Sequence, residues 1–352
     1  MSGGVDSSVA ALLLQHRGFD LVGLFMRNGV HVSAGEEVKK SCCSVSDARD
    51  ARMVAGSLGI PFQAVDLKQE FKEVIAYFLR QYAQGLTPNP CAVCNRDLKF
   101  HRLLAFAREL GAQGVATGHY ARRDTLAGRV RLRRAIDPTK DQSYQMFCVA
   151  EDDLARAHFP LGELLKSQVR AVAAEHGLKT AAKADSQEIC FVPSNNYRSL
   201  FDERGLELHK GPLVDTSGSV LGEHEGIELF TVGQRRGHGI GGGEPLYVVE
   251  VDPKSSRVVL GTRDECGGVH MQVGELNWIG FDPPRASSWR ADVQIRYHHR
   301  AAPACVTLDG ECARVEFDQP QTSIAPGQGA AFFQGEQLLG GGWIERDTKH
   351  PR

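Results

Sequence analysis

Residues 2–18 read "SGGVDSSVAALLLQHRG". Val9, Ala10, Leu13 and Leu14 recur at helical spacing, and Gly18 supplies a stop signal. Two glycines, an aspartate and three serines stand at the helix entrance. Glycines let backbone N–H groups turn towards an anion, the helix N-terminus adds positive potential, and hydroxyls add donors. Such a loop suits a pyrophosphate, with Mg²⁺ between the phosphates and Asp6. A Ser/Gly turn that only caps the helix is the plainer reading. Loops of this kind join a strand to a helix, yet no strand precedes Ser2. Roughly five to eight apolar or β-branched residues are therefore expected upstream, as a buried central strand.

Outward from this loop, short apolar runs alternate with helical stretches. "FDLVGLFM" (19–26) reads as a strand, "VSDARDARMVAGSLG" (45–59) as a helix and "PFQAVDL" (61–67) as the next strand. "LKFHRLLAFARELG" (98–111) reads as an amphipathic helix, followed by the strand "GVATGHYARR" (114–123). That alternation predicts an α/β domain with a parallel sheet, whose ligands bind beyond the carboxyl ends of the strands. Past Phe201 the texture changes to Gly-rich turns and β-like runs such as "LYVVEVD" and "RVVLGT", and beyond Gly268 to short strands with turn signals. This predicts three parts: a catalytic domain over 1–200, a small central domain over 201–268 and a C-terminal β-barrel over 269–352.

The 352 residues are 42% hydrophobic, 24% charged and 7% aromatic, an ordinary soluble composition. No apolar run approaches the ~18 residues of a membrane span, and the opening residues do not read as a signal peptide. A cytoplasmic protein with no membrane partner is expected. The net charge of −2 excludes a globally basic nucleic-acid binder, so any RNA site must be a local patch. One such excess lies between His119 and Tyr144, where Arg122, Arg123, Arg129, Arg131, Arg133, Arg134 and Lys140 face Asp124, Asp137 and Asp141. It reads either as an RNA-backbone site or as a solvated charged face. Nine cysteines, an odd number, argue for reduced thiols, metal ligands or catalysis over a disulfide framework.

Beyond the loop, "GLFMRN", "TPNPCAVCNRDLKF", "ATGHYARR", "KDQSYQMF", "DSQEICFVP", "TVGQRRGHGIGG", "QIRYHHR" and "PGQGAAFF" follow one another along nearly the whole chain. The opening loop resembles that of the N-type ATP pyrophosphatases, whose domains are adenine nucleotide alpha hydrolase-like. The complete series resembles the tRNA-specific 2-thiouridylases. That resemblance implies replacement of the 2-oxygen of a wobble uridine by sulfur, with ATP consumed to AMP and pyrophosphate. Uridine's carbonyl oxygen is a poor leaving group, and adenylation turns it into a phosphate ester that departs as AMP. A pyrophosphate loop therefore belongs on a sulfur transferase.

The resemblance implies Ser2, Gly3, Gly4, Val5, Asp6, Ser7, Ser8, Met26 and Gly118 as ATP contacts. It implies Cys94 as first catalytic cysteine and Cys190 as carrier of a persulfide. Asn89, Pro90 and Cys91 would face the target base of the anticodon stem-loop. His119, Lys140, Asp141, Gln142, Arg296, Tyr297 and Gln328 would touch tRNA. Cys94 sits just ahead of a helix expected to begin near Asp97 or Leu98, and a helix N-terminus stabilises a thiolate.

Many family members carry Asp where this chain has Cys91. A thiol is no like-for-like base, but Cys91 creates C-x-x-C with Cys94. With Cys190 the three thiols would suit an iron–sulfur cluster holding a sulfide. The persulfide route, from a persulfide or sulfide donor protein, and the cluster route both stay open, as does a structural zinc site with a fourth ligand. Cys42 and Cys43 read as local packing, and Cys148, Cys266, Cys305 and Cys312 as core or strand residues. Two other readings remain: a superfamily relative that forms a carbon–nitrogen bond, and a non-catalytic RNA-binding protein with a vestigial ATP loop.

Overall fold

The structure is a computed structural model that describes residues 1–29, 45–184, 189–192, 197–204, 206–241, 243–284 and 287–346. Cys42 and Cys43 lie outside the described residues. The chain divides into two compact units, Met1–Ile75 with Val93–Tyr197, and Ala76–Ala92 with Arg198–Arg352.

The first unit alternates helix and strand, as its sequence predicts. Gly23–Arg27 pairs in parallel with Phe62–Asp66, Gly23 opposite Phe62, and the helix Val45–Ser57 lies between them in the chain. A second parallel pair joins Val115–Ala116 to Ala157–His158. The first helix, Val5–His16, buries Val5, Val9, Ala10 and Leu12 against Val169 and Ala173 of the helix Lys166–Glu175, with Tyr120 and Leu161 in the same cluster. Apolar positions three and four apart give the first helix this buried stripe.

Three expected spans differ. The strand expected at residue 19 starts at Gly23, since Phe19 and Val22 stay exposed. The helix expected from residue 97 or 98 begins at Pro90 and runs on as a π-helical stretch, Cys94–Arg102, and an α-helix, Leu103–Glu109. Proline at the first helical position after an asparagine is a start signal, and Asn89 Oδ1 accepts Ala92 N–H at 3.2 Å. Residues 114–123 are not one strand: Val115–Ala116 ends, and Ala121–Leu126 opens a hairpin with Arg129–Arg134. Ala127 and Gly128 both take positive φ, the two-residue turn that matches strand twist.

In the second unit, four strands form a sheet in the order Val220–His224, Gly211–Asp215, Arg257–Gly261, Tyr247–Asp252, with the two central strands parallel. Leu213, Ile227, Phe230, Val248, Val258 and Leu260 make its core. Six antiparallel strands, Gly267–Trp278, Trp289–Gln294, Ala302–Asp309, Cys312–Thr322, Gly329–Gln334 and Gln337–Ile344, form a barrel that closes where Val273 pairs with Ile344. Closure leaves no sheet edge unpaired. In Cys312–Thr322, Ala313, Val315 and Phe317 point into the core while Arg314 and Glu316 face out, the period-two pattern that predicts such a strand. The predicted α/β domain, small middle domain and C-terminal barrel are all present.

Candidate active site

The phosphate-type loop is tightly organised. Gly3 adopts φ +69°, and a Cβ on it would fall 2.3 Å from the Asp47 carbonyl oxygen. Ser7 Oγ accepts Ser2 N–H at 3.0 Å and donates to Gly4 O at 3.2 Å, while Ser8 Oγ donates to Gly4 O at 2.8 Å. Lys183 Nζ donates to Gly3 O at 2.9 Å and to Asp47 and Asp50, each at 2.7 Å. Burial would lower the Lys183 pKa, but its hydrogen bonds to Asp47 and Asp50 hold it above the ordinary lysine value.

Asp6, second residue of the first helix, is held from two sides. Lys166 Nζ reaches its two oxygens at 2.7 and 2.8 Å, and Tyr120 Oη donates to Oδ1 at 2.8 Å. Asp137 fixes the backbone of Lys166 by accepting its N–H at 2.9 Å. Burial opposes ionisation of Asp137, but hydrogen bonds from Thr139 and the Lys166 amide keep its pKa low. Gly118 lies against the Asp6–Ser7 peptide, and Met26 is the penultimate residue of a parallel strand. Lys166, Lys183 and Asp47 lie in no motif that the sequence singles out. Only Tyr120, inside "ATGHY", had a signal that pointed to it.

His119 is buried. Its Nε2 lies 3.3 Å from Lys99 Nζ and its Nδ1 2.8 Å from Thr117 Oγ1, between the rings of Phe100 and Phe159. Burial, and then the Lys99 charge, holds its pKa well below 6.5. Lys99 also donates to Asn95 Oδ1 at 3.0 Å.

Cys91 is exposed in the first turn of the helix that starts at Pro90, and Cys94 is half-buried at the start of the π-helical stretch. The favourable field of a helix N-terminus decays within one turn, so the earlier helix start gives Cys91 the position expected for Cys94. Asn89 and Pro90 are buried. Cys190 is half-buried in the turn closed by Val192 N–H and Ile189 O at 2.9 Å, and Phe191 beside it packs edge-on against Phe71. Among the described residues no three His, Cys, Asp or Glu side chains are grouped to hold a metal ion.

Four arginines of the basic run are ion-paired. Arg131 forks onto Asp124 at 2.7 and 2.8 Å, and Arg133 joins it at 2.9 Å. Arg129 pairs with Glu151 and Arg134 with Asp141. Asp141 also accepts Ala135 N–H and both donors of Ser143, and Gln142 Oε1 accepts Tyr120 N–H at 3.0 Å. Lys140 is half-buried beside them. In the second unit Arg296 donates to Thr322 O at 2.9 Å, and Tyr297 lies against His298 with ring centres 4.4 Å apart. Gln328 donates its amide to Thr87 O at 3.3 Å and Pro88 O at 2.8 Å.

Comparison with known proteins places this arrangement. Residues 1–194 match the family model described as the tRNA methyl transferase HUP domain. Residues 201–262 match the tRNA methyl transferase PRC-barrel domain, and 269–344 the aminomethyltransferase beta-barrel domain. Proteins named tRNA-specific 2-thiouridylase MnmA from Geotalea uraniireducens and Chloroflexus aggregans are each 46% identical, over 98% of this chain and 93% and 97% of theirs. That of Paramagnetospirillum magneticum is 44% identical over 98% of this chain and 94% of its own. This chain belongs to the tRNA-specific 2-thiouridylase family. As a 2-thiouridylase family member it carries the glycine-serine loop, Gly118 and Cys94 in one compact unit, and the closed barrel bearing Arg296 and Gln328 in the other.

Proposed function

We propose that this protein is an ATP-dependent tRNA-uridine 2-sulfurtransferase that makes 2-thiouridine at the wobble position of the anticodon stem-loop, in the cytoplasm. The observation that carries the reading is the phosphate-type loop, with its aspartate at the helix N-terminus, on a chain of this family that also carries Cys94 and Cys190. ATP with Mg²⁺ would be the cofactor; Asp6 is the carboxylate that would hold the metal, which would supply charge neutralisation. No helix among the described residues is long and apolar enough to cross a membrane.

In this reading the loop binds the pyrophosphate end of ATP. Uridine O2 attacks the α-phosphorus and pyrophosphate leaves. The terminal sulfur of a Cys190 persulfide, loaded by a donor protein, attacks C2, and AMP departs with the former O2. The Cys94 thiolate then attacks Cys190 Sγ, forming a Cys94–Cys190 disulfide and releasing the sulfur as the thiocarbonyl; a thiol reductant resets the pair. The base must leave its stack to reach these groups. Tyr297 offers a stacking surface and Arg296 a phosphate contact.

Incubating the protein with ATP, Mg²⁺, a persulfide donor and tRNA bearing an unmodified wobble uridine tests this. One 2-thiouridine should form per AMP and pyrophosphate, seen by nucleoside mass spectrometry. A binding module releases no tRNA-dependent pyrophosphate, and a carbon–nitrogen-forming relative gives AMP with an amine and no sulfur incorporation.

A further inference from the structure

Cys94 follows the opening turn Pro90–Val93 of its helix, so the field of the helix N-terminus has faded at its thiol. Half-burial also works against ionisation. The reaction proposed above needs Cys94 as a thiolate, so another positive charge has to favour it. The winding of the chain brings one to the right face. From Cys94 to Arg102 the helix is π-wound, and Leu103 N–H reaches back five residues to Leu98 O. In an α-helix Lys99 would lie about 140° around the axis from Cys94, on another face. A turn that closes every five residues instead sets Lys99 almost directly above Cys94. Burial follows this winding. Asn95, Leu98 and Phe100, on and beside that face, are buried, whereas Arg96, Asp97, His101 and Arg102 stand out.

The Lys99 ammonium is fixed on the same side. Long helical side chains run back over the preceding turn, and Lys99 Nζ donates to Oδ1 of Asn95, the residue after Cys94, at 3.0 Å. Asn95 is held in turn by donating to Gln145 O at 3.1 Å. His119 closes the other side. An ammonium has no lone pair, so His119 Nε2 accepts at 3.3 Å and its Nδ1–H donates to Thr117 Oγ1 at 2.8 Å. The buried imidazole is a neutral acceptor that orients the charge without cancelling it. The other ionisable groups of the stretch are Arg96 with Asp97 at 2.6 Å, Arg102 with Glu70 at 2.8 Å, and His101, 3.8 Å from Asp153. Two elements pack against it: the turn Ser143–Met146 adds Tyr144, and the helix Glu151–Leu154 adds Asp152 and Glu151, the latter paired with Arg129.

We propose that Lys99 is the positioning cation that keeps the Cys94 thiol ionised, its charge set over the cysteine by the π-winding and held there by Asn95 and His119. This rests on the reading of Cys94 as the thiolate that attacks the Cys190 persulfide. Lys99 stays an ammonium throughout, and the thiol proton passes to solvent.

The rate of iodoacetamide alkylation of the full chain against pH, with Cys94 separated from Cys91 by fragment-ion mass spectrometry, reads the midpoint of the thiol. In wild type it should lie below ~8.5, the ordinary cysteine value. Lys99→Met should raise it by about one pH unit or more. Lys99→Gln, which keeps a donor for Asn95 without the charge, should do the same, and serves if melting curves show the Met variant unfolded. Lys99→Arg returns the charge and should bring the midpoint back towards wild type. A wild-type midpoint at the ordinary value overturns the proposal, as does an unchanged midpoint in folded Lys99→Gln. An equal rise in Lys99→Arg overturns it too, by tracing the shift to packing. Thiolation by Cys94→Ser is the separate check. A variant that still thiolates removes Cys94 from the reaction, whereas the alkylation midpoints are measured without substrates and judge Lys99 alone.

Discussion

Gly118 lies against Asp6 so closely that a Cβ on it would stand 2.9 Å from the Asp6 carbonyl carbon and from Ser7 N. The atoms it meets are backbone, which cannot swing aside as a long side chain can. The end of the strand Val115–Ala116 is therefore fitted to the start of the first helix, and the glycine-serine loop inherits its position from that fit.

Gly118→Ala should displace the loop. Overpacking of this kind costs ~1–3 kcal/mol, which lowers the melting temperature by several degrees. ATP affinity should fall by more than the melting shift alone explains, because the displaced atoms belong to the loop proposed to bind the phosphates. A variant that melts lower but binds ATP as wild type does would show that loop and strand end move independently.

Cys94→Ser and Cys190→Ser should each abolish thiolation while ATP and tRNA binding stay near wild type, since in the proposed reaction both thiols act after the substrates assemble. A serine hydroxyl neither carries a persulfide nor attacks one. Single-turnover assays with persulfide donor, read by 2-thiouridine content, decide it. More than a trace of product from either variant sinks that cysteine's role.

His299 gives the barrel an acid limit. Burial, and then the Arg296 charge, lowers its pKa from 6.5 to about 4, against a smaller raising effect of its hydrogen bond with Gln321. Above pH 6.5 the imidazole is neutral folded or unfolded. Between 6.5 and about 4 the unfolded chain binds a proton that the folded chain refuses, so stability falls as pH falls. His299→Gln should flatten that part of the melting-temperature profile. His119 and His158 are also held low and keep their share of the slope. An unchanged profile would mean that His299 is wet in solution.

Much of this was legible in the sequence where periodicity and local chemistry agree. The first helix, the strand–helix alternation and the barrel strands declare themselves by apolar spacing. The helix start at Pro90 was hidden because residues 90–97 offer only Ala92 and Val93 as apolar positions, although the Asn89–Pro90 pair is itself a start signal. The hairpin at 121–134 is masked by its arginines, which read in the sequence as an RNA-backbone site or a solvated charged face and in the structure pair with Asp124, Glu151 and Asp141. Lys166 was out of reach because its partner lies 160 residues away, and no local pattern marks an ion pair closed by tertiary packing.

Gln328 separates two roles that the sequence could not. The family resemblance implies a tRNA contact for Gln328, and in the structure its side-chain amide donates to Thr87 O and Pro88 O, directly ahead of Asn89, Pro90 and Cys91. Thr87 N–H adds a bond to Pro326 O at 2.7 Å, and Arg346 holds Gln84 O and Gly85 O. The turn at 325–328 thus grips the segment that leads into the cysteine helix. Gln328→Ala removes two of these bonds, about 1 kcal/mol each. Amides of Thr87, Asn89 and Cys91 should exchange hydrogen faster, thiolation should slow severalfold, and tRNA affinity should change little. If tRNA affinity drops while exchange at these amides stays as in wild type, Gln328 acts on tRNA directly and the grip is incidental.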